Sequence, residues 1–188
     1  MKTAKLLKTI LEDAAQRTHF ARSVYNPSEA VQDAFTNGLQ EAAAAAPSHV
    51  RFFFVDTARF SDTAALFRHI LLSLAEDPRA KDDDISISAR RIQKATDEKS
   101  ACLEIECILD DYTKTDVHIV LVLTHFDAAP AYWGSNSCGW LREAINTLPS
   151  FSCIIAGAKP VFEITKLPAG SSPLFNIFSN TSLEGDFA

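Results

Sequence analysis

The stretch Val117-His118-Ile119-Val120-Leu121-Val122-Leu123 decides the fold. Six of its seven residues are apolar and four are β-branched, as a strand covered on both faces requires. Two further runs share this character, Val50-Arg51-Phe52-Phe53-Phe54-Val55 and Phe151 to Ala156. A strand buried on both faces belongs in a parallel sheet, and the segments between these runs carry helical spacing. Val31, Ala34, Phe35, Leu39 and Ala42 mark a helix over about Ala30–Ala46, stopped by Pro47. Ala65, Leu66, Ile70, Leu71 and Leu74 mark a second, and Ile92, Ala95, Cys102, Ile105 and Leu109 a long one from Ser88 to Tyr112. Trp140 to Leu148 reads as another. Alternating strands and helices define an α/β fold with a mainly parallel sheet sandwiched by helices.

Weaker segments complete the chain. Leu7, Ile10, Leu11 and Ala14 recur at helical spacing, so residues 1–17 form an amphipathic helix that packs on the domain of residues 18–188 or on a partner. His19 to Tyr25 reads as a short strand and Asn26-Pro27-Ser28-Glu29 as a turn that opens a helix. Asp82-Asp83-Asp84 mark an exposed connection, Gly134 to Gly139 a small-residue loop, and Leu174 to Phe178 a final strand.

Composition narrows the function classes. The 188 residues include 18 Lys and Arg against 24 Asp and Glu, a formal net charge of -6. That balance argues against nucleic acid as the main partner, since phosphate contacts need a positive footprint. No apolar run has the length of a membrane span. Cys102, Cys107, Cys138 and Cys153 show no two-residue spacing of a zinc or redox motif, which suits reduced thiols in a cytoplasmic protein. No Gly-x-Ser-x-Gly elbow supports serine hydrolase chemistry.

The element order resembles the core of the AAA-like P-loop ATPases of the STAND class. The resemblance rests on Phe53-Phe54-Val55-Asp56-Thr57 with Phe60 and Leu66, on Leu121 to Asp127, on Trp140-Leu141-Arg142, on Ile154 to Ala158, and on Ser172 to Phe178. It implies a three-layer P-loop NTPase-like core, and a bacterial signalling or defence-like assembly as its setting. Such proteins continue into further helical regions, so the resemblance implies a minimal relative or an excised domain.

The catalytic signature departs from that family. A Walker A loop wraps phosphate with glycine backbone N–H groups and adds Lys and Ser or Thr. The matching stretch, Ala21-Arg22-Ser23-Val24-Tyr25-Asn26-Pro27-Ser28, has neither Gly nor Lys. Where the Walker B strand offers acids to metal and water, this chain has Thr124 and His125, and Asp127 matches a later acid. The expectation is a catalytically inactive domain with a protein-interaction or regulatory role. The alternatives are an ATPase with an atypical phosphate loop and a small-ligand or metal-binding domain.

Three sets of residues carry these expectations. Arg22, Ser23 and Ser28 would meet an anion or ATP–Mg, weakly if at all. Asp56, His125 and Asp127, at carboxyl ends of strands, would hold a divalent metal or ligand, or else cap local backbone. Tyr132, Trp133 and Trp140 would anchor a protein partner, or else cover the domain edge.

Overall fold

The computed structural model describes residues 3–76, 85–131, 133, 135–164, 174 and 177–184. The elements in chain order are α1 (Thr3–Ala15), β1 (Ala21–Tyr25), α2 (Glu29–Ala44), β2 (Val50–Asp56), α3 (Thr63–Ala75), α4 (Ile85–Lys94), α5 (Glu98–Lys114), β3 (His118–Thr124), α6 (Ser135–Thr147), β4 (Phe151–Gly157), α7 (Val161–Ile164) and β5 (Ser179–Ser182). The five strands form one sheet in the order β2-β3-β4-β1-β5. Every neighbouring pair is parallel, and β3 lies between β2 and β4, with Phe53 opposite Leu121 and Leu121 opposite Cys153.

Alternation along the strands builds two cores. Ile119, Leu121, Leu123, Cys153 and Ile155 face a layer that includes Leu66, Phe67, Ile70, Ile105 and Leu141 from α3, α5 and α6. Val120, Val122, Ile154 and Ala156 face the other way, onto Leu6, Ile10, Phe35 and Leu39 of α1 and α2. Every residue of β3 and β4 is buried, as expected of central parallel strands. Leu6, Ile10 and Ala14 have no exposed surface, so the N-terminal helix packs on the domain.

Three elements differ from the sequence reading. The stretch expected as one helix from Ser88 to Tyr112 is two, because Asp97 caps α5 in a capping box with Ser100. The expected Gly134–Gly139 loop is mostly helix, with Gly139 inside α6. The last strand follows Phe178 instead of ending there, and its Ser-Asn-Thr-Ser sequence suits an edge paired on one side only. The Asp82–Asp84 connection lies outside the described residues.

Candidate functional site

The carboxyl ends of the strands bring together the β1–α2 turn, Asp56 and His125. The turn is three residues long, Asn26, Pro27 and Ser28. Its backbone is tied down from several sides. Asn26 N–H donates to Gly157 O at 3.1 Å, and the Asn26 amide donates to Leu183 O at 2.8 Å. Ser28 N–H donates to Asn26 Oδ1 at 2.8 Å, and Gln32 Nε2 donates to Asn26 O, also at 2.8 Å. Pro27 has no N–H. Within the three-residue turn the backbone donors are therefore absent or engaged, and Glu29 adds a carboxylate to the first turn of α2.

The structure places Arg22 and Ser23 outside this turn. Both lie inside β1, opposite Ile154 and Ile155. Arg22 forms an ion pair with Asp13 of α1 at 2.5 Å and rests over the Phe20 ring at 5.4 Å. Ser23 is buried, and its Oγ accepts from Val161 N–H at 3.0 Å. Ser28 is the exposed N-cap residue of α2, without a side-chain capping bond.

His125 follows β3 with φ of 51°, a left-handed conformation uncommon for a residue with a side chain. Thr57 Oγ1 lies 2.9 Å from both the Thr124 and His125 carbonyls and holds the turn. The imidazole is clasped by two carboxylates. Nδ1 lies 2.9 Å from Asp56 Oδ1, and Nε2 lies 3.4 Å from Asp33 Oδ1 of α2. Burial pulls the His125 pKa down, but the hydrogen bond and charge of Asp56, then those of Asp33, outweigh it and leave the pKa raised above 6.5. Burial alone would raise the Asp56 pKa; its hydrogen bonds from His125 and Ala58 N–H leave it lowered.

Asp127 does not join them. Its Oδ2 accepts from Ala158 N–H beyond β4. A Cβ on Gly157 would stand 2.7 Å from that oxygen, so the close approach needs glycine. Asp56 and Asp127 each accept from local backbone N–H groups, and the structure brings Asp56 but not Asp127 to His125. Among the described residues, no three His, Cys, Asp or Glu side chains group so as to hold a metal ion. Asp33 was not singled out from the sequence, where it reads as an exposed polar position on α2; only the crossing of α2 over the sheet edge brings it to His125.

The aromatic set is also redistributed. Trp133 is 5% exposed and Trp140 is 8% exposed. Trp133 packs on Phe67 and Phe126 at centroid distances of 5.6 and 5.1 Å, and Trp140 meets Phe67 edge-on at 4.9 Å. Trp133 therefore completes the core, and Trp140 packs into it with only an edge left to line the surface groove between α5 and α6. Tyr132 lies outside the described residues.

The five-stranded parallel sheet between two helical layers is a three-layer α/β core, similar in fold to solved P-loop ATPases. The ORC2 protein of Aeropyrum pernix, in its ADPNP–ADP complexes, superposes with a TM-score of 0.64 at 9% identity over 96% of this chain and 46% of that one. Cdc6p from Pyrobaculum aerophilum gives a TM-score of 0.61 at 12% identity over 95% of this chain and 44% of that one. The Walker-type ATPase PABY2304 of Pyrococcus abyssi gives 0.54 at 9% identity, covering 92% and 52% respectively. The chain spans about half the length of these solved structures. At such identities the likeness is one of fold. No family model matches the sequence, and no curated protein matches it.

Proposed function

We propose that this chain is a P-loop NTPase-like domain of the STAND class that has no ATPase activity and works as a protein-interaction or regulatory module in the cytoplasm. The observation that carries this reading is the three-residue β1–α2 turn, closed by Asn26, in a fold whose nucleotide-binding relatives place a phosphate cradle there. Two further features support it. His125, clasped by Asp33 and Asp56, stands where the resemblance puts a metal-binding acid. All four cysteines are free, in keeping with a reducing compartment.

The nucleotide complexes of the A. pernix protein favour a second reading, weak ATP–Mg binding without turnover. Titration calorimetry with ATP and magnesium tests both. The expected affinity is weaker than about 1 mM, corresponding to less than ~4 kcal/mol, with no phosphate released above the buffer rate. Micromolar binding with steady hydrolysis would remove the proposal.

A further inference from the structure

We propose that the groove between α5 and α6 is the docking site for a basic amphipathic helix of a partner protein. Its apolar face would cover Leu103 and Trp140, and its Lys or Arg side chains would meet Glu106 and Glu143.

The groove begins as a cavity of about 600 Å³ lined by Glu98, Leu103, Glu106, Gly139, Trp140 and Glu143. A second hollow of about 300 Å³ shares Glu106 and Glu143 and extends it along α5. Leu103 on its rim is 53% exposed and is the one large apolar side chain so exposed among the described residues. The floor supplies the Trp140 indole, whose buried Nε1–H is directed at the Glu106 carboxylate.

Neither Glu106 nor Glu143 has an ion-pair partner among the described residues. Burial raises the Glu106 pKa; the Trp140 hydrogen bond pulls it down and the Glu143 carboxylate pushes it up, leaving it raised. Nearby charges are engaged elsewhere: Asp110 pairs with Lys114 at 2.7 Å, and Arg91 with Asp111 at 2.8 Å. Glu98 accepts from the Thr63 and Ser137 hydroxyls. Lys99 is the one cation among the described lining residues. Two facing carboxylates beside an apolar floor favour a cation carried on an apolar scaffold.

Gly139 adds an independent sign. A glycine inside a helix costs about 1 kcal/mol relative to alanine, and a Cβ there would meet nothing within 4 Å. Internal packing does not require this glycine. Its missing side chain leaves open space along the groove for an incoming chain.

This inference rests on the reading of the domain as an interaction module, whereas ATP calorimetry tests that reading separately. The probe is a fluorescein-labelled Leu/Lys amphipathic peptide about five helical turns long, followed by fluorescence anisotropy. Controls are a Leu/Glu peptide of the same pattern and a Ser/Lys peptide of the same charge. The Leu/Lys peptide alone should bind. The E106Q/E143Q double variant should weaken it about tenfold or more, and Gly139→Leu should abolish binding without lowering the melting temperature. Absence of Leu/Lys binding, equal binding by either control, or unchanged binding in Gly139→Leu or E106Q/E143Q would overturn the proposal while leaving the calorimetric result standing.

Discussion

Acidification should destabilise this domain through His118, the second residue of the strand run that decides the fold. The side chain has no exposed surface. Its Nε2 lies 3.0 Å from Ser152 Oγ, which also accepts from Phe20 N–H, and its Nδ1 has no partner. A neutral ring that donates from Nε2 leaves only a bare lone pair at Nδ1. Protonation would put an unpaired N–H there, inside the core and near His19, Arg17 and His49. Burial, then the charges of His19, Arg17 and His49, push the His118 pKa from 6.5 down to about 4. The sign follows from linkage. The unfolded chain takes a proton at this site below 6.5 and the folded chain refuses it until about 4, so stability falls between those values and levels off below them. At ~1.36 kcal/mol per pH unit the loss is about 3 kcal/mol. For a domain of this size it corresponds to roughly 6–12 °C in melting temperature. The assay is thermal or urea unfolding from pH 7.5 to 4, comparing the parent with His118→Gln, which keeps a donor for Ser152 and does not titrate. The variant should lose most of the slope in this window whatever its stability at pH 7.5. An equal slope in both proteins would refute the assignment.

Other consequences are open to direct measurement. Trp133→Ala should cost ~3–5 kcal/mol in urea unfolding, because the ring fills the core against Phe67 and Phe126; an unchanged midpoint would show that the ring is not packed there. NMR titration should place the His125 pKa above 6.5, with Asp56→Asn moving it down. The stability from this clasp is present below pH 6.5 and is lost as pH rises through the folded pKa, opposite in sense to His118. In thiol labelling under native conditions Cys107, the exposed cysteine, should react first. Cys102 and Cys138, buried and pushed up to about 12 and about 11, should react only on unfolding, as should buried Cys153; simultaneous labelling of all four would contradict the packing.

The central strands were legible because β2, β3 and β4 are apolar on both faces, and such runs have few other places to go. β5 was not, since Ser-Asn-Thr-Ser carries no strand signal and forms by pairing with β1. The break between α4 and α5 had a local signal, Asp97 with Ser100 three residues on, which the apolar stripe running through it obscured. At the site, Asp56 and His125 were readable as strand ends. The partnership with Asp33 was not, because it depends on how a helix crosses the sheet edge. The direction of Asp127 was set by the room that Gly157 leaves. Arg22 and Ser23 lay within the expected His19–Tyr25 strand, but their contacts with Asp13 and Val161 were not legible, because both depend on how other elements pack on β1.

The three-residue turn between β1 and α2 has a consequence for engineering and for descent. A Walker A motif has eight positions, and several of them must arch between strand and helix before any backbone N–H can surround an anion. Point substitutions of Pro27 to glycine and Ser28 to lysine would change chemistry without adding contour length, and Asn26 would still be stitched to Gly157 and Leu183. Gaining a nucleotide cradle here would take an insertion. On the reading proposed above, the step from this turn to a phosphate-wrapping loop is a matter of lengthened backbone, which amino-acid exchanges alone do not supply.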